Sequence, residues 1–167
     1  LPRREEAKRV QNMLANDLDI CGTLLPANIR TILDHNPNVT TWSGKEVPYG
    51  YLDWWPVSLG FNGLEPPYSD PEIRWAVNYA INRRQLVEIG MQNAGDFTVL
   101  PFPDFPVLQK YTSTAKDLLA QYPVDDYDPQ KTAAILMRKG YKKDGDGFWA
   151  KDGERLKLAI DIFAFMM

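Results

Sequence analysis

One amphipathic stretch constrains this chain more than any other feature. Ile73, Ala76, Val77, Ala80 and Ile81 recur at i, i+3, i+4, i+7 and i+8, which places them on one face of a helix. Ser69 and Glu72 have capping-box spacing, and Pro71 suits the first turn, so the helix is expected over 70–81. Such a helix has an apolar stripe to bury, and the rest of the sequence must supply the surface that covers it.

Other segments supply both helical and strand periods. A helix is expected over 3–16, where Ala7, Val10 and Leu14 share a face. Pro26 can open a second helix with Ile29, Ile32 and Leu33 on its inner face, ended by Pro37. Asn82 and Gln85 repeat the cap spacing for a short helix that stops at Gly90. A further helix is expected over 128–139, capped by Asp128, opened by Pro129 and stopped at Gly140. Strands are expected at Asp19–Cys21, Val39–Trp42 and Val57–Phe61. Asp144–Gly147 reads as a turn, and Phe148–Lys151 with Leu156–Ile162 as a hairpin across Asp152-Gly153. Asp96–Pro106, rich in proline and aromatics, reads as a structured loop. This mixture implies an α/β or α+β sheet domain, with 1–167 as a single domain.

Composition removes several classes of function. The net charge is −3 and the basic stretches Arg83–Arg84 and Arg138–Lys143 are short, which disfavours nucleic acid. One cysteine, Cys21, and one histidine, His35, cannot assemble a usual zinc site, and Cys21 reads as a buried inert thiol. Asp144-Gly145-Asp146-Gly147 lacks the later ligands of a calcium loop. The carboxylates show no nucleophile–base pattern, and no phosphate loop or dinucleotide fingerprint is present. No cofactor, no metal and no catalytic residue is therefore expected. A carbohydrate-active enzyme would need two carboxylates beside an aromatic platform, and Asp53 has no marked partner.

The aromatic residues are more informative. Trp42, Tyr49, Tyr51, Trp54 and Trp55 fall within a short span, and such rings can stack on sugars or peptide side chains. Tyr51, Trp54 and Trp55, with Phe163 as a further choice, are the candidate ligand-binding residues. The alternative is that Trp54 and Trp55 pack beneath the Asp96–Pro106 loop. Arg74, on a helix with apolar neighbours, reads as an ion-pairing residue with a buried stem.

Three segments together resemble a known family. Leu59-Gly60-Phe61-Asn62, then Pro66-Pro67-Tyr68-Ser69-Asp70-Pro71-Glu72-Ile73-Arg74, then Ala76-Val77-Asn78-Tyr79-Ala80-Ile81-Asn82-Arg83, is similar to the hallmark stretch of the family 5 extracellular solute-binding proteins. Tyr127-Asp128-Pro129-Gln130-Lys131, Gly140-Tyr141 and Asp146-Gly147-Phe148-Trp149 resemble a downstream segment of the same family, and Asp17-Leu18-Asp19-Ile20 with Pro37-Asn38-Val39 an upstream one. Asn82 stands where Asp is commoner, and Thr132 where Ala is. The tract Tyr49–Trp55 is nearer to relatives of sugar or opine type than to the commonest peptide binders.

The resemblance implies an α/β fold: one lobe of a bilobal periplasmic binding protein of type II, cluster C-like, with a mixed sheet flanked by helices. It implies a partial second lobe, with the N-terminal lobe, the hinges and a C-terminal part outside this sequence. It further implies a monomeric, non-enzymatic, exported periplasmic protein that captures a small solute (peptide, sugar or opine-like) for the membrane permease of an ABC importer. The charged opening Leu1–Glu6 reads as the start of a helix and not as a signal core, and the apolar close at Phe163–Met167 as part of a longer protein. A ligand-sensing domain of a transcriptional regulator is the alternative role.

Overall fold

A computed structural model describes residues 5–50, 56–102 and 105–161. They divide into two compact units. The first is Leu1–Leu59 with Asn82–Asp125, and the second is Gly60–Ile81 with Asp126–Met167.

In the first unit, helix α1 (Glu6–Leu14) packs on helix α2 (Pro26–His35). Met13, Pro26, Ile32 and Leu33 are the buried residues of this pair. Side chains of α1 also hold the chain that leads into α2. The Glu6 carboxylate accepts from the Leu25 amide at 2.7 Å and from Asn28 Nδ2 at 2.8 Å. These bonds, Asn28 foremost, hold the Glu6 carboxyl below its usual range. Arg9 donates to the carbonyls of Gly22 and Thr23. At the other end, buried Asn36 follows α2 and donates to the Met13 carbonyl at 2.7 Å and to Asn16 Oδ1 at 3.0 Å. The short helical turn α4 (Arg83–Gln85) has its expected cap, with Asn82 Oδ1 accepting from the Gln85 amide at 3.0 Å. It widens into a π-helical turn over Leu86–Gly90. The 96–102 segment is a loop, as expected, pinned where Thr98 Oγ1 donates to the Phe102 carbonyl. Two short helices that the sequence pattern did not mark, α5 (Gln109–Thr112) and α6 (Lys116–Gln121), complete this unit.

The second unit is built on α3 (Pro71–Ala80) and α7 (Pro129–Arg138), which pack against each other. Ile73, Ala76, Leu136 and Tyr141 form its buried cluster, with Tyr68, Ile135, Trp149 and Leu156 packed around it. The expected stripe of α3 is thus the face that is buried. Its cap differs from the expected one: Asp70, not Ser69, accepts from the Glu72 amide at 2.9 Å. Asp128 caps α7 by accepting from the amides of Gln130 and Lys131, as expected. A bond from Thr132 Oγ1 to the Ala76 carbonyl, 2.9 Å, ties the two helices mid-length. Threonine at a position where alanine is common therefore has a structural use here.

Strands β1 (Lys142–Lys143), β2 (Trp149–Lys151) and β3 (Glu154–Arg155) form an antiparallel sheet in that order. The hairpin across Asp152-Gly153 forms as expected, with Ala150 opposite Arg155 and Lys151 opposite Glu154. Both turn residues have positive φ, 54° and 84°, the geometry a two-residue hairpin turn requires and the reason glycine stands second. Asp144 organises the β1–β2 turn by accepting from the amides of Asp146 and Phe148. Burial pushes the Asp144 carboxyl up, but these bonds and Arg155, 2.5 Å away, outweigh it and hold it low. Arg155 also pairs with Asp146, so a guanidinium bridges the two carboxylates of this turn.

The mixed sheet expected from the sequence is not formed among the described residues. Asp19–Cys21 is not a strand, Ile20 is exposed and Cys21 is only half-buried. Val39–Trp42 contributes a single bridge, Thr41 to Gly44. Val57–Phe61 and the described residues after Arg155 lie outside any ladder, with Val57 fully exposed. Alternation specifies which side chains share a face, but a strand also needs a neighbour to bond, and among the described residues no strand pairs with these segments. Arg74 is likewise not in an ion pair of the described residues. Its Nη1 donates to the Tyr68 and Ser69 carbonyls, at 2.5 and 3.2 Å, bracing the turn that precedes α3.

A charged network spans α3 and α7. Lys139 Nζ lies 2.6 Å from Asp70 and also pairs with Glu72, and Arg138 lies 2.5 Å from Glu72. The bond from Lys139 is the main cause holding both carboxyls below their usual values, with Arg138 adding to the effect at Glu72. Because the folded-state pKa values are lowered, the stabilisation is present above the ordinary carboxylate range and is lost as pH falls through the depressed values. The second unit is therefore expected to lose stability on acidification. In Asp70→Asn/Glu72→Gln the slope of that loss should be flatter, as read from denaturant midpoints measured across the acid range.

Candidate functional site

The aromatic segment of the first unit is positioned by α2 and by a chain of tight turns. Thr41 and Gly44 exchange backbone bonds at 2.9 and 3.0 Å. Gly44 has φ of 76°, which favours glycine there. Ser43 Oγ donates to the Glu46 carbonyl at 2.6 Å and accepts from the Tyr49 amide at 2.9 Å. Lys45 reaches back to the Leu33 carbonyl at the end of α2.

This scaffold separates two rings that composition alone groups together. Trp42 stands at the tip of the Thr41–Gly44 turn and is 83% exposed. Tyr49 is 9% exposed, and Arg30 Nε lies 3.4 Å from its hydroxyl. That hydrogen bond is the first cause raising the Arg30 pKa above its usual value. Tyr49 is therefore a packing residue, while most of the Trp42 surface meets solvent. The distinction was latent in the sequence. Trp42 lies between Thr41 and Ser43-Gly44, polar residues that favour a tight turn over a core position.

The four sequence-predicted binding residues, Tyr51, Trp54, Trp55 and Phe163, lie outside the described residues. Trp42 precedes the first three by nine residues or more, on a segment fixed by the bonds above. Among the described residues, no three His, Cys, Asp or Glu side chains come together as a metal-binding group. Likewise, no described helix is long and apolar enough to cross a membrane. A groove along the β1–β2–β3 hairpins, lined by Lys142, Lys143, Asp144, Lys151 and Asp152, is shallow and open to solvent. It lacks the apolar walls that enclose a small solute.

The chain belongs to the bacterial extracellular solute-binding proteins, family 5, whose model matches residues 3–161. Membership implies the bilobal α/β fold of that family.

Three relatives give the range. Over 123 residues the chain is 30% identical to heme-binding protein A of Haemophilus influenzae, covering 72% of this chain and 20% of that protein. It is 27% identical over 118 residues to the glutathione-binding protein GsiB of Escherichia coli, covering 70% and 20%. It is 25% identical over 136 residues to a dipeptide-binding protein of Pseudomonas aeruginosa, covering 81% and 22%. The chain thus spans about a fifth of the length of these curated relatives.

Proposed function

We propose that this chain is part of the solute-capturing component of an ABC importer. In this reading it helps to hold a peptide-like or other small polar solute in the periplasm for delivery to the membrane permease, without chemical conversion. The observation that carries the reading is the family match over residues 3–161, nearly the whole chain. Relatives named for heme, glutathione and dipeptides support a small-molecule ligand without fixing which one. A bilobal site encloses its ligand between two walls, and closure supplies much of the affinity. This chain alone should therefore bind solute far more weakly than a polypeptide of the relatives' full length that contains it. Calorimetry giving equal affinity for the two would contradict this.

Within that reading, Tyr51, Trp54 and Trp55, with Phe163 as a further wall, stack on the solute. Trp42, exposed on the unit that contains positions 51–55, supports an aromatic surface in that part of the chain. The test is made in the full-length context with its bound solute. Trp54→Ala and Trp55→Ala should each weaken binding by about 1–3 kcal/mol, by analogy with base–aromatic stacking, while the melting temperature stays nearly constant. Packing tryptophans would instead lose about 3–5 kcal/mol of stability. Unchanged affinity with a collapsed melting temperature at both positions would remove these residues from the site.

A further inference from the structure

We propose that Asn62-Gly63 is a self-modifying site, at which the Asn62 side chain cyclises onto the Gly63 amide and then opens to isoaspartate and aspartate. The chemistry is intramolecular, so it depends on a few neighbouring residues and needs neither a pocket nor a partner.

Three observations carry it. Of the nine asparagines in the chain, Asn62 alone precedes glycine. The residues after the others include Ile29, Pro37, Val39 and Tyr79, whose bulk or missing N–H hinders ring closure. Second, the Leu64 amide donates to Asn62 Oδ1 at 3.1 Å, which folds the side chain over Gly63. That N–H sits where an oxyanion develops when Cγ is attacked, and it binds the anion more strongly than the neutral amide oxygen. Third, Arg74 Nη1 lies 3.9 Å from where a Cβ on Gly63 would stand. The Tyr68 and Ser69 carbonyls fix Arg74 there, so a cation is held beside Gly63. A fixed cation favours both the deprotonated amide and the oxyanion.

Base removes the Gly63 amide proton. The nitrogen lone pair bonds to Asn62 Cγ, the Cγ–Nδ2 bond breaks, and Nδ2 takes a proton from water and leaves as ammonia. Water then opens the cyclic imide at either carbonyl. One opening gives aspartate, and the other gives isoaspartate, whose main chain runs through the side-chain carbon. Either product sets a new carboxylate beside Arg74, on the stretch that leads into α3.

The chain is incubated at mildly alkaline pH in buffer and, in parallel, in denaturant, and its peptides are mapped by mass. The peptide holding positions 62 and 63 should exchange an amide for an acid before any other asparagine peptide, and faster as pH rises. Its product should accept methyl groups from an isoaspartyl methyltransferase. The folded chain should react at least as fast as the denatured one, because the Leu64 amide and Arg74 are in place only in the fold. Gly63→Ala should slow the reaction roughly tenfold. Its added Cβ meets only Arg74, at an ordinary contact distance, so the variant keeps the fold. Arg74→Gln should slow the reaction in buffer and not in denaturant, and Arg74→Lys, which keeps the cation, should restore most of the rate. Circular dichroism checks that the Arg74 variants fold, and the parent's comparison in buffer and denaturant stands without them. An Asn62 amide that outlasts those of the other asparagines, or a folded chain slower than the denatured one, would overturn the proposal. So would a Gly63→Ala chain as fast as the parent, or a rate in buffer indifferent to Arg74→Gln.

Discussion

Leu136→Ala is expected to cost the second unit about 2–5 kcal/mol, the range for removing a buried leucine side chain where the surroundings cannot collapse. Leu136 is 2% exposed and sits between Ile73 and Ala76 of α3 and Tyr141 beyond α7. The gap would be hard to fill. Ala76 has only a methyl group, too short to extend into it, and Tyr141 is anchored by the chain reversal at Gly140, where the Tyr141 amide bonds the Leu136 carbonyl. Because the chain has two compact units, a single global melting curve would blur the effect. Amide hydrogen exchange in α3 and α7 reads it locally, as faster opening of those helices with α1 and α2 unaffected. Met137→Ala is the control: Met137 is 59% exposed, and its loss should cost no more than about 0.5 kcal/mol. Equal effects at the two positions would show that α7 does not bury the face described.

The largest effect in the first unit is expected at Asn36. This residue is 2% exposed and is the buried polar side chain of the α1–α2 pair. Its amide group donates to the Met13 carbonyl of α1 and to Asn16 just beyond that helix, and its oxygen accepts from the Asn38 amide. Asn36→Leu keeps similar volume but removes the buried bond to the Met13 carbonyl and leaves the Asn16 and Asn38 groups to water. The penalty should be about 1–3 kcal/mol, seen as faster exchange in α1 and α2. Asn36→Asp removes the donors while keeping the acceptor, and sets a charge beside the Met13 carbonyl. It should be at least as damaging near neutral pH and should partly recover in acid, as the carboxyl becomes protonated. A variant with a leucine at position 36 that exchanged as slowly as the parent would show the bonds to be incidental.

The sequence carried most of the helical frame and little of the sheet. The apolar stripe of α3, the Asp128-Pro129 start of α7 and the Asp152-Gly153 turn were legible because each rests on contacts within a few residues. The cap moved from Ser69 to Asp70 because either side chain could serve, and the chosen one also meets Lys139, a residue from the far end of α7. The expected strands failed for a different reason. Period-2 alternation at Val57–Phe61 and Leu156–Asp161 is present, yet pairing depends on a partner distant in sequence. Helices α5 and α6 lack a long periodic stripe and lie between prolines, so no local signal separated them from loop. In the candidate site, composition marked an aromatic segment but could not tell Trp42, held outward by its turn, from Tyr49, held inward beside Arg30.

Solute capture without conversion is the proposed activity. The most direct measurement is calorimetric titration of a polypeptide of the relatives' full length containing this sequence, against di-, tri- and longer peptides, glutathione and sugars, with the solute recovered afterwards for mass analysis. Saturable binding of one of these classes at a single site, with the solute released intact, is the predicted result. Failure to bind any of them, or recovery of a cleaved or transformed solute, would contradict it.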